Sequence, residues 1–193
     1  MSVAATILAV ESRRQFAESL REQVAVHMPV HLSINDSSRS LEDAFVRSKE
    51  LMQFATLQKV EWHLYLEDDQ IITNKFFDVL PILLAQQDVD LWYLANRDIP
   101  IGQMGRLRGL RVNRIRSQVP GSHGLLYRTK FIATLQNDPI CRPVDHWFWR
   151  HITPKDHTVY QVLNPVCARH VGVESTLHEY DHQEHLFTHS HDL

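Results

Sequence analysis

The sequence predicts an α/β fold, a single domain built on one mainly parallel β-sheet with helices on both faces. Short apolar runs, typical of buried strands, alternate along the chain with segments whose apolar residues recur at helical spacing. The composition is globular, with 44% apolar and 22% charged residues among 193. A chain of this length can bury a full core without disulfides or structural metal. We therefore expect one domain over residues 1–177 and a polar, histidine-rich tail over residues 178–193.

The amino-terminal part of the chain predicts three strands and two helices. Apolar runs bounded by polar residues indicate strands at 4–10, 30–34 and 62–66. Apolar residues three and four apart indicate helices at 14–26 and 41–55. Strands that alternate with helices in this way favour parallel pairing, because each crossover returns the chain to the same edge of the sheet.

The rest of the chain continues the pattern less regularly. We expect a helix over 75–87 with Pro81 inside it, and a buried strand over 89–95. Beyond these, the prediction comprises an arginine-rich stretch at 105–116, a turn at Pro120-Gly121, a strand at 124–127, a helix after Thr129, an aromatic segment at 144–152 and a strand at 159–163.

Charge and composition exclude several classes of protein. The formal net charge is −3, which argues against a uniformly basic nucleic-acid coat. Five of the arginines lie in residues 105–116 without an acid among them, so the remainder is more acidic than the total suggests. No apolar run approaches the ~20 residues of a bilayer span, and no positive charge precedes the first apolar stretch. We therefore expect a cytoplasmic protein in which Cys141 and Cys167 are free thiols.

Motifs of several common enzyme classes are missing from the sequence. The chain has no G-x-G-x-x-G, no Walker loop and no G-x-S-x-G, so dinucleotide binding, P-loop hydrolysis and the serine-hydrolase elbow have no support. One rival motif is present in the tail, where His178, Glu179 and His182 match the H-E-x-x-H of zinc hydrolases. No apolar helical stripe supports it, and five histidines in 16 residues make a chance match easy.

Three consecutive acids, Glu67, Asp68 and Asp69, follow the predicted strand at 62–66. Open α/β sheets bind ligands in the crevice beyond the carboxyl ends of their strands, so these carboxylates occupy a favourable position. Oxygen ligands of this kind suit Mg²⁺ or Mn²⁺, which typically bind one or two carboxylates together with substrate phosphates. The alternative is a solvated strand end that begins a turn.

The order of motifs around this triplet resembles the metal-dependent nucleotide-sugar glycosyltransferases of the GT-A fold. In that family a hydrophobic strand ends in Asp-x-Asp or Glu-Asp-Asp, as WHLYLEDD does at 62–69. The resemblance spans residues 4–176 and includes QIITNKFF at 70–77, GSHGLLYR at 121–128, PVDHWF at 143–148, NPVCARHVG at 164–172 and EST at 174–176.

The resemblance implies roles for particular residues in binding a metal and transferring a sugar. It implies that Asp69 binds Mn²⁺ or Mg²⁺ directly, that His170 is a further ligand, and that Glu67 or Asp68 contacts the ribose or a metal-bound water. Asp145 would be the general base that deprotonates the acceptor hydroxyl if the enzyme inverts. The plainer alternatives are a surface histidine at 170 and a helix N-terminal acid at 145.

The resemblance also implies where the donor binds. Ala9, Glu11 and Arg13 follow the first strand, where the family holds the nucleotide base. Asp36 ends the second strand, where an acid often contacts uridine or ribose. A nucleotide diphosphate sugar, with a UDP-sugar favoured, is therefore the expected donor.

The arginine-rich stretch indicates the acceptor side of the reaction. Guanidinium groups without neighbouring acids attract phosphate, either a donor diphosphate or a nucleic-acid backbone, although a solvated edge strand is the alternative. As one strand, the stretch would place Arg106 and Arg108 on one face and Arg111 on the other; as a loop, it could close over a ligand. With His123 and Trp147 as further candidates, our acceptor hypothesis is hydroxymethylated pyrimidine in DNA, since small enzymes of this type occur in bacteriophages. Lipopolysaccharide or another saccharide is the alternative acceptor, and a non-catalytic nucleotide-sugar or nucleic-acid binding module is the alternative class.

Overall fold

The computed structural model describes residues 2–35, 50, 53–54, 56–95, 102–116, 124–131 and 156–170. Within them the strands are β1 (Val3–Val10), β2 (Val30–Asn35), β3 (Trp62–Glu67), β4 (Gln70–Ile72), β5 (Leu91–Tyr93), β6 (Gly102–Leu107), β7 (Leu110–Ile115), β8 (Leu125–Arg128), β9 (Val159–Asn164) and β10 (Ala168–His170). The α-helices with both ends among the described residues are α1 (Arg14–Ala25) and α2 (Asn74–Leu84), and 3-10 turns occupy Glu11–Arg13 and Thr129–Phe131.

Eight strands form one sheet in the order β2-β1-β3-β8-β5-β9-β7-β6. Pairing is parallel between β1 and both of its neighbours and between β5 and β9, and antiparallel at the other four junctions. These pairings give β7 and β8 one direction and the remaining strands of the sheet the other. The predicted mainly parallel α/β sheet is therefore confirmed, with two reversed strands that the alternation of strands and helices did not reveal. A small second sheet pairs β4 with β10.

One face of the large sheet, which we call the helical face, carries the apolar core. Cross-strand partners share a face of a sheet, so the registered residues Ala5, Leu64, Leu126 and Trp92 line one side. All four are completely buried in a single hydrophobic cluster. The same cluster includes side chains from both described α-helices: Ala17, Leu20 and Val24 of α1, and Phe76, Val79, Leu80, Leu83 and Leu84 of α2.

The opposite face, which we call the polar face, is also buried but has a different composition. The register places Thr6, Tyr65, Leu125, Tyr93 and Gln161 in one row across the sheet, all with at most 2% exposure. Its other buried polar members include Ser33, His63, Tyr127 and Asn113.

A helical segment also accompanies the polar face. Residues 50, 53–54 and 56–57 are helical, and the ring of Phe54 stacks on His31 at a centroid distance of 5.0 Å. His31 is the β2 partner of Thr6, so this contact lies on the polar side of the sheet. Helical residues therefore lie on both faces, as the sequence predicts.

Most of the predicted element boundaries agree with the structure to within three residues. The helix predicted at 14–26 is α1, and the helix predicted at 75–87 ends earlier, at Leu84, with Pro81 inside it. The strand predicted at 89–95 is shortened to Leu91–Tyr93, with Ala95 in an isolated bridge to Ala168. The turn predicted at residues 120–121, the aromatic segment at 144–152, the tail at 178–193 and most of the helix at 41–55 lie outside the described residues.

The arginine-rich stretch forms a β-hairpin, which we call the arginine ribbon (Gly102–Leu107 with Leu110–Ile115). Arg108 and Gly109 form the turn, with φ of 47° and 88°. Two successive residues with positive φ are the mark of a type I′ turn, whose twist matches that of the paired strands. Arg106 and Arg111 are direct cross-strand partners and share the polar face. The expectation that Arg106 shares a face with Arg108 rather than Arg111 is therefore wrong, because the chain reverses between them.

Candidate functional site

The site lies at the carboxyl ends of β1 and β3, where the acidic triplet leaves the sheet. Glu67 is the last residue of β3, and the next amide, that of Asp68, donates a hydrogen bond to the carbonyl of Leu8 at 3.0 Å. This backbone bond extends the pairing of β3 with β1 by one residue. It fixes Asp68 and Asp69 against the carboxyl end of β1.

The two aspartates converge on one guanidinium group. Asp68 Oδ2 accepts the backbone N–H of Val10 at 2.7 Å, and Asp68 Oδ1 lies 3.2 Å from Arg13 Nη2. Asp69 Oδ2 lies 3.6 Å from Arg13 Nη1. Exposure of these side chains is 4% for Asp68 and 13% for both Asp69 and Arg13. Asp68 is thus held on both oxygens inside the protein, whereas Asp69 is the more accessible carboxylate.

Burial of Asp68 raises the pKa of its carboxyl to about 6. The Val10 amide and the Arg13 guanidinium oppose that shift because they favour the ionised form, while the nearby Asp69 carboxylate adds to it. With this pKa, Asp68 is mainly ionised at neutral pH. It then carries the negative charge that its hydrogen bond and ion pair require.

Glu67 is oriented by residues that the sequence did not single out. Its backbone N–H donates to Gln70 Oε1 at 3.0 Å, and its carboxylate Oε1 accepts the Tyr65 hydroxyl at 3.4 Å. Gln70 is 4% exposed, and its Nε2 has no hydrogen-bond partner within the described part of the chain. The only signal in the sequence was a polar residue directly after the triplet in the short strand Gln-Ile-Ile.

The small β4–β10 sheet brings the late part of the chain to the triplet. His170 is the register partner of Gln70, the residue that follows Asp69. Thr73 fixes this arrangement, since its hydroxyl donates to the carbonyl of Val166 at 2.5 Å and its amide to that of Cys167 at 3.0 Å. The backbone of the candidate ligand His170 therefore lies beside the acids, although about 100 residues separate them in sequence.

The acids fit a hard divalent cation. Two carboxylates that already converge on a cationic group form the kind of oxygen donor set that Mg²⁺ and Mn²⁺ prefer. Over the described ranges, no group of three or more His, Cys, Asp or Glu could hold a metal ion. Asp68 and Asp69 are two carboxylates, and Mg²⁺ typically takes one or two from a protein when substrate phosphates complete its shell.

The remaining candidate residues are Ala9, Glu11 and seven that lie outside the described residues. Ala9 is buried in the apolar cluster on the helical face of the sheet. Glu11 is exposed and bound by Arg14, with oxygen–nitrogen distances of 2.6 and 2.8 Å. Seven further candidates lie outside the described residues: Asp36, His123, Asp145, Trp147, His178, Glu179 and His182.

The arginine ribbon forms a second, cationic feature of the molecule. Arg106, Arg108 and Arg111 are exposed, and none forms an ion pair with a carboxylate within the described part of the chain. Because β6 runs in the same direction as β3, the turn lies at the edge of the sheet that carries the triplet. Five interstrand steps separate β3 from β6, about 24 Å at the usual strand spacing. Glu67, Arg106 and Arg111 share the polar face.

The eight-stranded α/β fold matches solved structures of the GT-A type, several of which are glycosyltransferases. A glycosyltransferase involved in the glycosylation of the major capsid of PBCV-1 matches with a TM-score of 0.53 and 13% identity, over 90% of this chain and 95% of that one. Drosophila β1,4-galactosyltransferase 7, in a complex with manganese, UDP-Gal and xylobiose, matches with a TM-score of 0.51 and 11% identity, over 98% and 76% of the two chains. A197 from STIV matches with a TM-score of 0.56 and 9% identity, over 84% and 82%.

These likenesses establish the fold, because identities of this size carry no further assignment. No protein-family model matches the sequence, and a search of curated proteins finds no relative. Across the residues that the structure describes, no helix combines the length and the apolar character needed to cross a membrane. From its likeness to these solved structures, the chain has a single-domain α/β architecture of the GT-A type.

Proposed function

We propose that this protein is a glycosyltransferase that depends on Mn²⁺ or Mg²⁺ and uses a nucleotide diphosphate sugar, with a UDP-sugar as the first candidate. The observation that carries the proposal is the convergence of Asp68 and Asp69 beyond β3 in a GT-A-type fold. Both the position and the donor chemistry suit a cation that bridges to phosphates.

In the proposed reaction, the bond between the sugar C1 and the diphosphate oxygen breaks while C1 bonds to the acceptor oxygen. A divalent ion held by Asp69, with His170 as a second candidate ligand, would neutralise the leaving diphosphate. Asp68 is bound on both oxygens by Val10 and Arg13, so its role is to hold the turn that presents Asp69. The acceptor proton passes to a base, for which Asp145 is the candidate.

The donor site is tested by thermal unfolding with a panel of nucleotide diphosphates and their sugars, each with Mn²⁺ and with EDTA. A ligand at 100 times its Kd adds about 2.7 kcal/mol of stability, which is readily measured. Asp69→Asn should weaken metal-dependent nucleotide binding by at least about 10-fold, since it replaces a charged ligand with a neutral amide oxygen. Asp78→Asn, an exposed aspartate of α2, is the matched control.

The outcomes separate the proposed class from its alternative. Metal-dependent binding that is lost in Asp69→Asn and kept in Asp78→Asn, with release of free sugar or transfer to an acceptor, supports the enzyme. Binding without any turnover would indicate the non-catalytic module instead. No stabilisation by any nucleotide would contradict the proposal.

For the acceptor, we propose a polyanion bound by the arginine ribbon, and specifically DNA that contains hydroxymethylated pyrimidine. Five arginines without an acid in the stretch, three of them exposed around a two-residue turn, give a dense positive charge. A two-stranded ribbon also fits the DNA major groove. An anionic saccharide such as lipopolysaccharide is the competing acceptor.

The acceptor hypothesis is tested with the combined variant Arg106→Gln, Arg108→Gln and Arg111→Gln. If each contacts a phosphate, the slope of log K against log salt should fall by about 0.9 per arginine for duplex DNA, while nucleotide binding is unchanged. Arg114→Gln, on the helical side of β7, is the matched control and should have a smaller effect. Equal DNA modification by the triple variant and the parent protein would eliminate DNA as the acceptor, and transfer to lipopolysaccharide alone would favour the saccharide.

A further inference from the structure

Arg13 occupies the position between the two aspartates where a cation is expected. Its two terminal nitrogens are divided between the carboxylates, with Nη2 at Asp68 and Nη1 at Asp69. A side chain with only 13% exposure is held there from both sides. The inference that follows rests on the function proposed above.

The charge of Arg13 has opposite effects on the two components that the site is proposed to bind. A positive group within 4 Å of Asp69 opposes the approach of a divalent cation to that carboxylate. The same guanidinium has the planar, forked geometry that matches phosphate oxygens in a bidentate fashion. A diphosphate can therefore replace the aspartates as the partner of Arg13.

The position of Arg13 in the chain allows this exchange without movement of the sheet. Arg13 ends the 3-10 turn after β1 and precedes α1, whose first residue is Arg14. The positive end of the α1 dipole lies at the same place and favours an anionic ligand there. Because Asp68 also binds the Val10 amide, it remains fixed if the guanidinium leaves.

We propose that Arg13 couples metal binding to nucleotide binding. Its guanidinium pairs with Asp68 and Asp69 and offsets one of their two negative charges while no metal is bound. It moves to the diphosphate of the donor when a cation binds at Asp69. Metal alone then binds weakly, because it competes with an internal cation. Metal and nucleotide together bind strongly, because the released guanidinium gains a new partner.

Electron paramagnetic resonance measures the affinity for Mn²⁺ with and without UDP, and the ratio of the two affinities is the coupling factor. The reciprocal titration measures the affinity for UDP with and without Mn²⁺. The two factors must agree, since coupling is reciprocal for binding. In Arg13→Gln, we expect Mn²⁺ alone to bind at least about fivefold more tightly, and the coupling factor to fall at least about fivefold, toward the lower end of the usual range. Arg21→Gln, which removes an exposed arginine of α1, should behave as the parent protein.

Failure of this inference and failure of the proposed function would give different binding results. If the parent protein binds UDP with Mn²⁺ but Arg13→Gln keeps the same metal affinity and coupling, Arg13 is only a structural ion-pair partner and the inference is overturned. If the parent protein binds no nucleotide, the proposed function itself fails. Should Arg13→Gln not fold, Arg13→Lys keeps the charge but not the planar fork. Its coupling factor should fall below that of the parent protein, and an unchanged factor would equally overturn the inference.

Discussion

The two faces of the large sheet are built from the same strands but differ in what they bury. On the helical face, Trp62, Leu64 and Leu66 of β3 pack in the apolar cluster with α1 and α2. On the polar face, the alternate residues of the same strand are His63, Tyr65 and Glu67. Both sets are largely withdrawn from solvent, so the difference concerns chemistry and not exposure.

Along β3, the residues that pack in the apolar core alternate with residues that belong to the polar face. The polar face ends at Glu67, beside the aspartates, and reaches Arg106 and Arg111 at the far edge of the sheet. Burying polar groups costs free energy unless they are hydrogen-bonded. The free energy of apolar burial on the helical face offsets the cost that the buried polar row carries. We infer that the helical face supplies most of the apolar stabilisation, while Glu67, Arg106 and Arg111, which are candidate ligand-binding groups, lie on the polar face.

The largest effect should come from a truncation on the helical face. Leu64 is completely buried at the centre of β3, and Leu64→Ala should lower the free energy of unfolding by about 2–5 kcal/mol, since it removes transfer energy and leaves a cavity. Urea denaturation measures the loss. Leu57→Ala, at an exposed leucine, should change it by no more than about 0.5 kcal/mol. Similar losses for the two variants would contradict the placement of Leu64 in a close-packed core on the helical face.

The sequence predicted the helical face much better than the polar face. The apolar run at 62–66 and the spacing of Leu20 and Val24 identify elements directly, because core packing requires those periodicities. Insertion of β8 between β3 and β5 is a long-range pairing with no local signal. The strand order could therefore not be derived from the pattern.

The division of roles within the triplet was equally hidden. Asp68 and Asp69 have the same side chain and both contact Arg13, and the hydrogen bond from the Val10 amide anchors Asp68 in addition. The prediction of which arginines share a face of the ribbon was wrong for a related reason. Arg108 adopts a positive φ, which non-glycine residues rarely take, and the chain turns there. Both features depend on backbone geometry that residue types do not determine.

A smaller effect, which depends on pH, should come from the polar face. His63 is completely buried, with Nε2 2.9 Å from the Thr6 hydroxyl and Nδ1 hydrogen-bonded with the hydroxyl of Tyr127. Burial lowers the pKa of His63 to about 3, because the charged form has no access to water. Between pH 6.5 and pH 3 the unfolded chain therefore takes up a proton at this histidine that the folded protein does not. The contribution of His63 to stability is intact above pH 6.5 and is lost as the pH falls, by about 1.4 kcal/mol per pH unit.

The comparison of the parent protein with His63→Gln isolates this contribution, since glutamine keeps an amide donor and acceptor but does not titrate. The raised pKa of Asp68 acts in the opposite direction: its protonated form adds stability as the pH falls from 6 toward 4, and this term is common to both proteins. The difference between their free energies of unfolding, measured in urea from pH 7.5 to pH 5, should be constant above pH 6.5. Below that pH it should shift against the parent protein, by about 2 kcal/mol at pH 5. Parallel curves over the whole range would mean that His63 takes up a proton in the folded state, and the polar face would then be open to water and not a second buried layer of the sheet.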